Sequence, residues 1–144
     1  MPETVFTTPC ACWHVRRASR VLSQIYDTHL RPVGIRSSQF GMLRCIEAAP
    51  NLCISHMARL LGMDQTTVTR NIETLERNGL VHTVYDTIDP RKKLVRLSDQ
   101  GEKAVLKALP LWEEAQGQVM ARMGAEKYRA FLESMEGISA LAQE

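Results

Sequence analysis

"SHMARLLGMDQTTVTRNIETLERNGLV", residues Ser55 to Val81, decides the fold. Ala58, Gly62 and Val68 stand four and then six residues apart in it. That spacing lets two short helices cross, with a small residue at the crossing, a glycine in the tight turn and an apolar anchor on the second helix. Residues 55–62 and 64–78 accordingly read as two helices. Asp64 can cap the second, Val68, Ile72 and Leu75 share one face, and Asn78-Gly79 supply its stop. The face left outward at the first turns is Gln65, Thr66, Thr67, Thr69 and Arg70. Glutamine can bond adenine through two atoms, threonine offers a hydroxyl and a methyl, and arginine reaches guanine or phosphate, so this set suits double-stranded DNA. The competing reading is an ordinary solvated helix face, and Glu73 with Arg77 reads as no more than a surface pair.

The stretch that follows, "VYDTIDPRKKLVRLSDQG" (Val84 to Gly101), carries alternating apolar residues around a charged centre. Residues 81–86 and 93–97 read as two strands rich in β-branched residues, joined by a loop. A two-stranded ribbon directly after such a helix is a wing. Its tip would present Arg91, Lys92 and Lys93 to phosphate or to a minor groove, whose negative potential favours arginine. Asp89, two residues before Arg91, can tie down the turn and orient the guanidinium. The alternative is a hairpin whose charges only keep it soluble.

Both flanks read as helices. Residues 10–30 place Val15, Ala18, Leu22, Ile25 and Tyr26 at helical spacing, and Pro32 ends that run. Ser37 or Ser38 can cap a second helix reaching about Ala48. Beyond Ser98, a candidate N-cap, Val105, Leu109, Trp112, Val119, Met120 and Met123 form a stripe that Pro110 is expected to kink. Gly124 interrupts it, and Tyr128, Phe131, Leu132, Met135, Ile138 and Leu141 form another stripe on a final helix. Such stripes either fill the chain's own core or meet a second copy. The expectation is a mainly α fold with a small β-wing: a winged helix-turn-helix lobe over 36–97, flanked by dimerisation helices at 10–30 and 98–144, in a single domain spanning 1–144.

The chain has 144 residues, enough for one domain with a real core, and a formal net charge of +2. The charge is unevenly placed: residues 1–48 carry six Lys/Arg against three Asp/Glu, 55–97 seven against five, and 98–144 five against eight. A basic front and middle tolerate a polyanionic partner. Nothing resembles a signal peptide, and no apolar run approaches the roughly 20 residues that span a bilayer, so a cytoplasmic chain with no membrane partner is expected. No catalytic constellation, phosphate loop, metal-ligand spacing or cofactor motif stands out. A thiol-dependent redox enzyme would rest on Cys10 and Cys12 alone. A winged helix that binds protein instead of DNA is the other alternative, and the basic tip argues against it.

With these motifs in register, the sequence resembles the MarR family of winged helix-turn-helix regulators over nearly its whole length. "TVTRNIETLERNGLV" is similar to the family's recognition helix and "DPRKKLVRLSDQG" to its wing. The resemblance implies a transcriptional regulator, expected as a ligand- or redox-responsive repressor on a pseudo-palindromic operator. It also implies an obligate homodimer and a pocket for a small-molecule effector between the dimer region and the DNA-binding lobes. Thr66, Thr67 and Arg70 match the family's recognition-helix contacts, and Asp89 and Arg91 its wing pair.

The first helix, "CACWHVRRASRVLSQIYD", resembles that of the family's organic-hydroperoxide-sensing branch. Cys12 falls at the reactive thiol and Tyr26 at a tyrosine that bonds it, while two further tyrosines of that branch are replaced by Arg16 and Ser37. Arg16, one turn after Cys12, and the helix N-terminus can favour a thiolate. Three readings of the cysteines stand side by side: small buried hydrophobes at Cys12, Cys45 and Cys53; an oxidant switch through Cys10 or Cys12; or a metal held by Cys10, Cys12 and His14.

Overall fold

The computed structural model describes residues 6–143, so residues 1–5 and 144 of the expected domain lie outside the described residues. Helix α1 (Ala11–Leu30) runs into a single 3₁₀ turn, Arg31–Val33, where Pro32 ends the α-helical hydrogen bonding. Next come α2 (Ser37–Ala48), a two-residue strand β1 (Leu52–Cys53), α3 (Ile54–Leu61) and α4 (Gln65–Arg77). The hairpin β2 (Val81–Tyr85) and β3 (Lys93–Leu97) leads to α5 (Asp99–Met123) and α6 (Ala125–Ala140), closed by a 3₁₀ turn, Leu141–Gln143.

The helix-turn-helix forms as its spacing requires. Gly62 takes φ +62°, a left-handed conformation that a side chain resists, and Met63 N–H bonds back to Ala58 O at 2.9 Å to close α3. Met57 and Ala58 of α3 and Val68, Ile72 and Leu75 of α4 are buried in one core with Phe40, Leu43 and Ile46 of α2 and Val95 of β3. Burying side chains of this size stabilises by roughly 1.5–3 kcal/mol each.

Three details differ from expectation. The wing is a three-stranded antiparallel sheet of order β1-β3-β2, because Leu52 pairs with Val95 and Cys53 with Leu94. Neither Ser37 nor Ser38 caps α2. Arg36 is the N-cap residue, Gln39 Oε1 accepts its N–H at 2.9 Å, and Asp27 of α1 accepts the N–H of Ser37 at 2.6 Å. Arg77 donates to Thr74 Oγ1 at 3.1 Å and makes no ion pair with Glu73.

Ser98 caps α5 by accepting Gly101 N–H at 3.0 Å. A Cβ on Gly101 would lie 1.9 Å from Leu80 O, so glycine is what lets the start of α5 press against the lead-in to β2. This contact fastens the long helix to the winged lobe. At its far end α5 carries α6, which buries none of its residues and packs chiefly on α5. Leu132, Ile138 and Leu141 lie exposed there, as do Val21 of α1 and Leu106 and Met120 of α5.

Candidate nucleic-acid interface

Asp64 positions the outward face of α4. Its Oδ1 accepts Thr67 N–H at 2.7 Å and its Oδ2 accepts the Thr67 hydroxyl at 2.8 Å. These bonds, the backbone one first, hold the Asp64 carboxyl below the usual carboxylate range. Gln65, Thr66, Thr67 and Arg70 are exposed. Thr69 is only half-buried and donates to Gln65 O at 2.8 Å. The Thr67 hydroxyl is therefore committed as a donor, leaving its lone pairs and methyl outward, whereas the Gln65 amide, the Thr66 hydroxyl and the Arg70 guanidinium are the groups placed to reach a groove.

The wing tip is built by two aspartates. Asp86 Oδ1 accepts Ile88 N–H at 3.0 Å and Asp89 Oδ1 accepts Arg91 N–H at 3.1 Å. Lys92 N–H bonds Asp89 O, and Asp86 N–H bonds Lys92 O, both at 2.9 Å, closing the loop above the strands. Asp89 Oδ1 also lies 3.7 Å from Arg91 Nε, yet the Arg91 side chain remains 96% exposed. The carboxylate thus orients the guanidinium at its root without covering it. Arg91 and Lys92 occupy the tip; Lys93 does not, being the first residue of β3 opposite Tyr85. Pattern reading placed Ile88 in the loop but did not single it out; its apolar side chain is 92% exposed at the same tip.

The thiols do not fill the core of the chain. All four cysteines are free, Cys12 exposed and Cys10, Cys45 and Cys53 half-buried, so none is a fully buried hydrophobe within the chain. Among the described residues no three His, Cys, Asp or Glu side chains converge on a metal site. Cys12 and His14 are two apart on α1, which turns them to opposite sides, while Cys10 is the N-cap residue before the helix. Arg16 is exposed one turn beyond Cys12. Tyr26 cannot reach Cys12 of its own chain, being fourteen residues or roughly 21 Å along the helix. Its hydroxyl donates to Gln116 Oε1 on α5. The thiol whose ionised form the fold favours is Cys53, the N-cap residue of α3. A hydrogen bond from Ser55 Oγ, at 3.3 Å, is the largest cause of its lowered pKa, followed by the N–H of His56. Only its position at the β1–α3 junction reveals this.

A cavity of about 870 Å³ lies between α1, the start of α2, α5 and α6. Phe40 and Trp112 form one wall with ring centroids 6.0 Å apart, and Tyr26 extends it at 6.5 Å from Trp112.

A sequence profile of the MarR family matches residues 35–93, the winged lobe. Across 94% of this chain and 97% of the other, the fold superposes on the M. tuberculosis transcriptional regulator MOSR in complex with DNA, with a TM-score of 0.85 and 36% identity. The repressor CouR bound to a 23-mer DNA duplex shares the fold at a TM-score of 0.82 and 21% identity, covering 90% of this chain and 92% of CouR. Among curated relatives, the HTH-type transcriptional regulator YwoH of Bacillus subtilis is 32% identical over 89 residues, 62% of this chain and 64% of YwoH, slightly under two thirds of its length.

Proposed function

The chain belongs to the MarR family, and from that premise we propose that it is a sequence-specific regulator of transcription that binds double-stranded DNA as a homodimer. The observation that carries this reading is the wing tip: a guanidinium anchored at its root by a carboxylate and otherwise fully exposed, on the lobe that carries the polar face of α4. Gln65, Thr66 and Arg70 read base edges in a major groove, with Thr67 and the half-buried Thr69 supporting them. Arg91, Lys92 and Lys93 meet phosphate or the minor groove, and Asp89 positions Arg91. The basic tip favours nucleic acid over a protein partner.

Dimerisation through α1, α5 and α6 covers the apolar side chains that one chain leaves exposed, above all on α6. Two lobes related by a dyad call for a pseudo-palindromic operator, and occupancy of adjacent grooves excludes other proteins from that duplex, so repression is the expected outcome. Among the described residues no helix is long and apolar enough to cross a membrane. A DNA target places the protein in the cytoplasm, and the proposed role is regulatory, with no catalysis and no resident cofactor. The cavity between the dimer helices and the lobe is the effector site.

The exposed Cys12 at the start of α1 supports an oxidant as a second kind of signal, with Cys10 two residues before it in the chain. A thiolate there attacks the terminal oxygen of an organic hydroperoxide, forming an S–O bond as the O–O bond breaks; the sulfur is oxidised to a sulfenic acid and the peroxide leaves as an alcohol. Titration of labelled duplex at increasing salt tests the DNA reading, since phosphate contacts make the logarithm of affinity fall linearly with the logarithm of salt. Failure to bind any duplex at low salt would exclude it. Cumene hydroperoxide should release the wild type, with thiol reductant restoring binding, and leave Cys12→Ser bound; equal response of both proteins would remove Cys12 as the regulatory thiol.

A further inference from the structure

The cavity says more about its occupant than that one exists. At about 870 Å³ it is near the upper end of the range for small-molecule sites, roughly 300–1,000 Å³, whereas about 150 Å³ suffices for one benzene. A single-ring compound would leave most of the wall unfilled. Val15, Ala18, Leu22, Leu109, Phe131 and Met135 make that wall apolar, and the Phe40–Trp112–Tyr26 rings, tilted by 33° and 35° at Trp112, give it an aromatic face.

The charge of the lining is equally informative. Arg44 is its one permanently charged residue, and Arg44 is ion-paired with Glu47 one turn further along α2. An anion would share the Arg44 guanidinium with the Glu47 carboxylate, which weakens its pull on a second negative charge. The remaining polar groups are hydroxyls and an imidazole: Ser19 and Ser23 on α1, Ser37 and Ser38 at the start of α2, Tyr26, and His14. A buried anion without a dedicated cation is costly, while a hydroxyl finds partners among these groups.

Tyr26 sets the orientation. Its hydroxyl hydrogen is given to Gln116 Oε1, and Gln116 Nε2 donates in turn to Tyr128 Oη on α6. The Tyr26 oxygen is thereby left as an acceptor toward the cavity, and burial, the larger cause, raises its pKa so that it stays protonated. This relay joins α1, α5 and α6, and α5 is also the helix fastened to the winged lobe at Gly101.

We propose that the cavity binds an uncharged, mostly apolar hydroxyl compound larger than one aromatic ring, which donates to Tyr26 and acts on the DNA lobes by disturbing the Tyr26–Gln116–Tyr128 relay. This rests on the reading of the chain as an effector-responsive regulator. The test uses naphthol and naphthoate, matched in ring system and differing in charge at neutral pH, with phenol as the single-ring control. Binding is followed without DNA by quenching of Trp112 in the full-length dimer carrying Trp13→Phe, which leaves Trp112 as the sole tryptophan.

Saturable quenching by naphthol, at least tenfold weaker for naphthoate and for phenol, is expected. Tyr26→Phe, with unchanged far-ultraviolet circular dichroism, should weaken naphthol further and abolish its effect on duplex affinity. Equal or tighter binding of naphthoate overturns the charge assignment, and equal binding of phenol the size assignment. Binding of none of the three, as when the partner chain fills the groove, overturns the site while DNA binding stands. Naphthol that binds and leaves duplex affinity unchanged overturns the relay. A protein that takes naphthol and never binds duplex fails the functional reading alone.

Discussion

Asp89 accepts the backbone N–H of Arg91 at 3.1 Å and lies 3.7 Å from the same residue's Nε, so one carboxylate fixes both the turn and the root of the guanidinium. The sign of an Asp89→Ala effect therefore separates positioning from bulk charge. Removing a negative charge from a loop that faces phosphate should tighten binding if charge alone matters. Positioning predicts weaker binding, by up to about fivefold, corresponding to the roughly 1 kcal/mol an exposed ion pair can carry. Arg91→Ala should weaken binding to every sequence and reduce the salt slope by about 0.9. Fluorescence anisotropy on operator and random duplexes at several salt concentrations reads both effects.

Arg70→Ala and Thr66→Ala should behave in the opposite way. Each is expected to cost about 1–3 kcal/mol at particular operator base pairs and little on random duplex, because base-edge contacts specify whereas phosphate contacts only position. Competition binding with single-base-pair variants of the operator checks this; equal losses on operator and random DNA would assign these side chains to the backbone instead.

Gly101→Ala should destabilise the fold without touching the DNA surface. The added methyl meets Leu80 O at 1.9 Å, and backbone cannot swing aside as a side chain can. A loss of about 1–3 kcal/mol or more in urea unfolding is expected, the range for overpacking a tight contact. An unchanged midpoint would mean that α5 is not fastened to the lobe there.

The α4 cap gives the stability a dependence on acid. Because the folded Asp64 carboxyl has its pKa lowered by Thr67, its contribution is complete above the unfolded carboxylate value and fades as pH falls through the folded one. Asp64→Ala should lower the melting temperature at neutral pH, and the gap to wild type should close through the acidic carboxylate range. A gap that stays constant with pH would show that the charge of the cap is irrelevant.

The helix-turn-helix was readable because its signals are local: the burial period of Val68, Ile72 and Leu75, the capping carboxylate of Asp64 and a glycine that must take positive φ at 62. The wing hairpin was readable for the same reason, and so was the Asp89–Arg91 turn. What escaped depends on distant residues or on too few residues. Two positions, Leu52 and Cys53, carry no periodicity, so the third strand shows only in its pairing with β3. The α2 cap looked like a serine because Asp27, ten residues before Ser37, could not be seen to approach it. Tyr26 and Gln116 are ninety residues apart, which hid both the relay and the cavity wall it closes. Lys93 is the first residue of β3, as the strand bounds read from the sequence already had it, so it stands beside the tip and not on it.

Selection of bound duplexes from a random pool by the purified full-length protein, with its mass in solution determined in parallel, tests the central claim most directly. The account predicts a mass twice the 16.3 kDa of one chain and a pseudo-palindrome whose half-sites are centred about 10 base pairs apart, one helical turn, each read by one α4. A monomer enriching a single asymmetric half-site, or a dimer enriching no sequence at all, would contradict it.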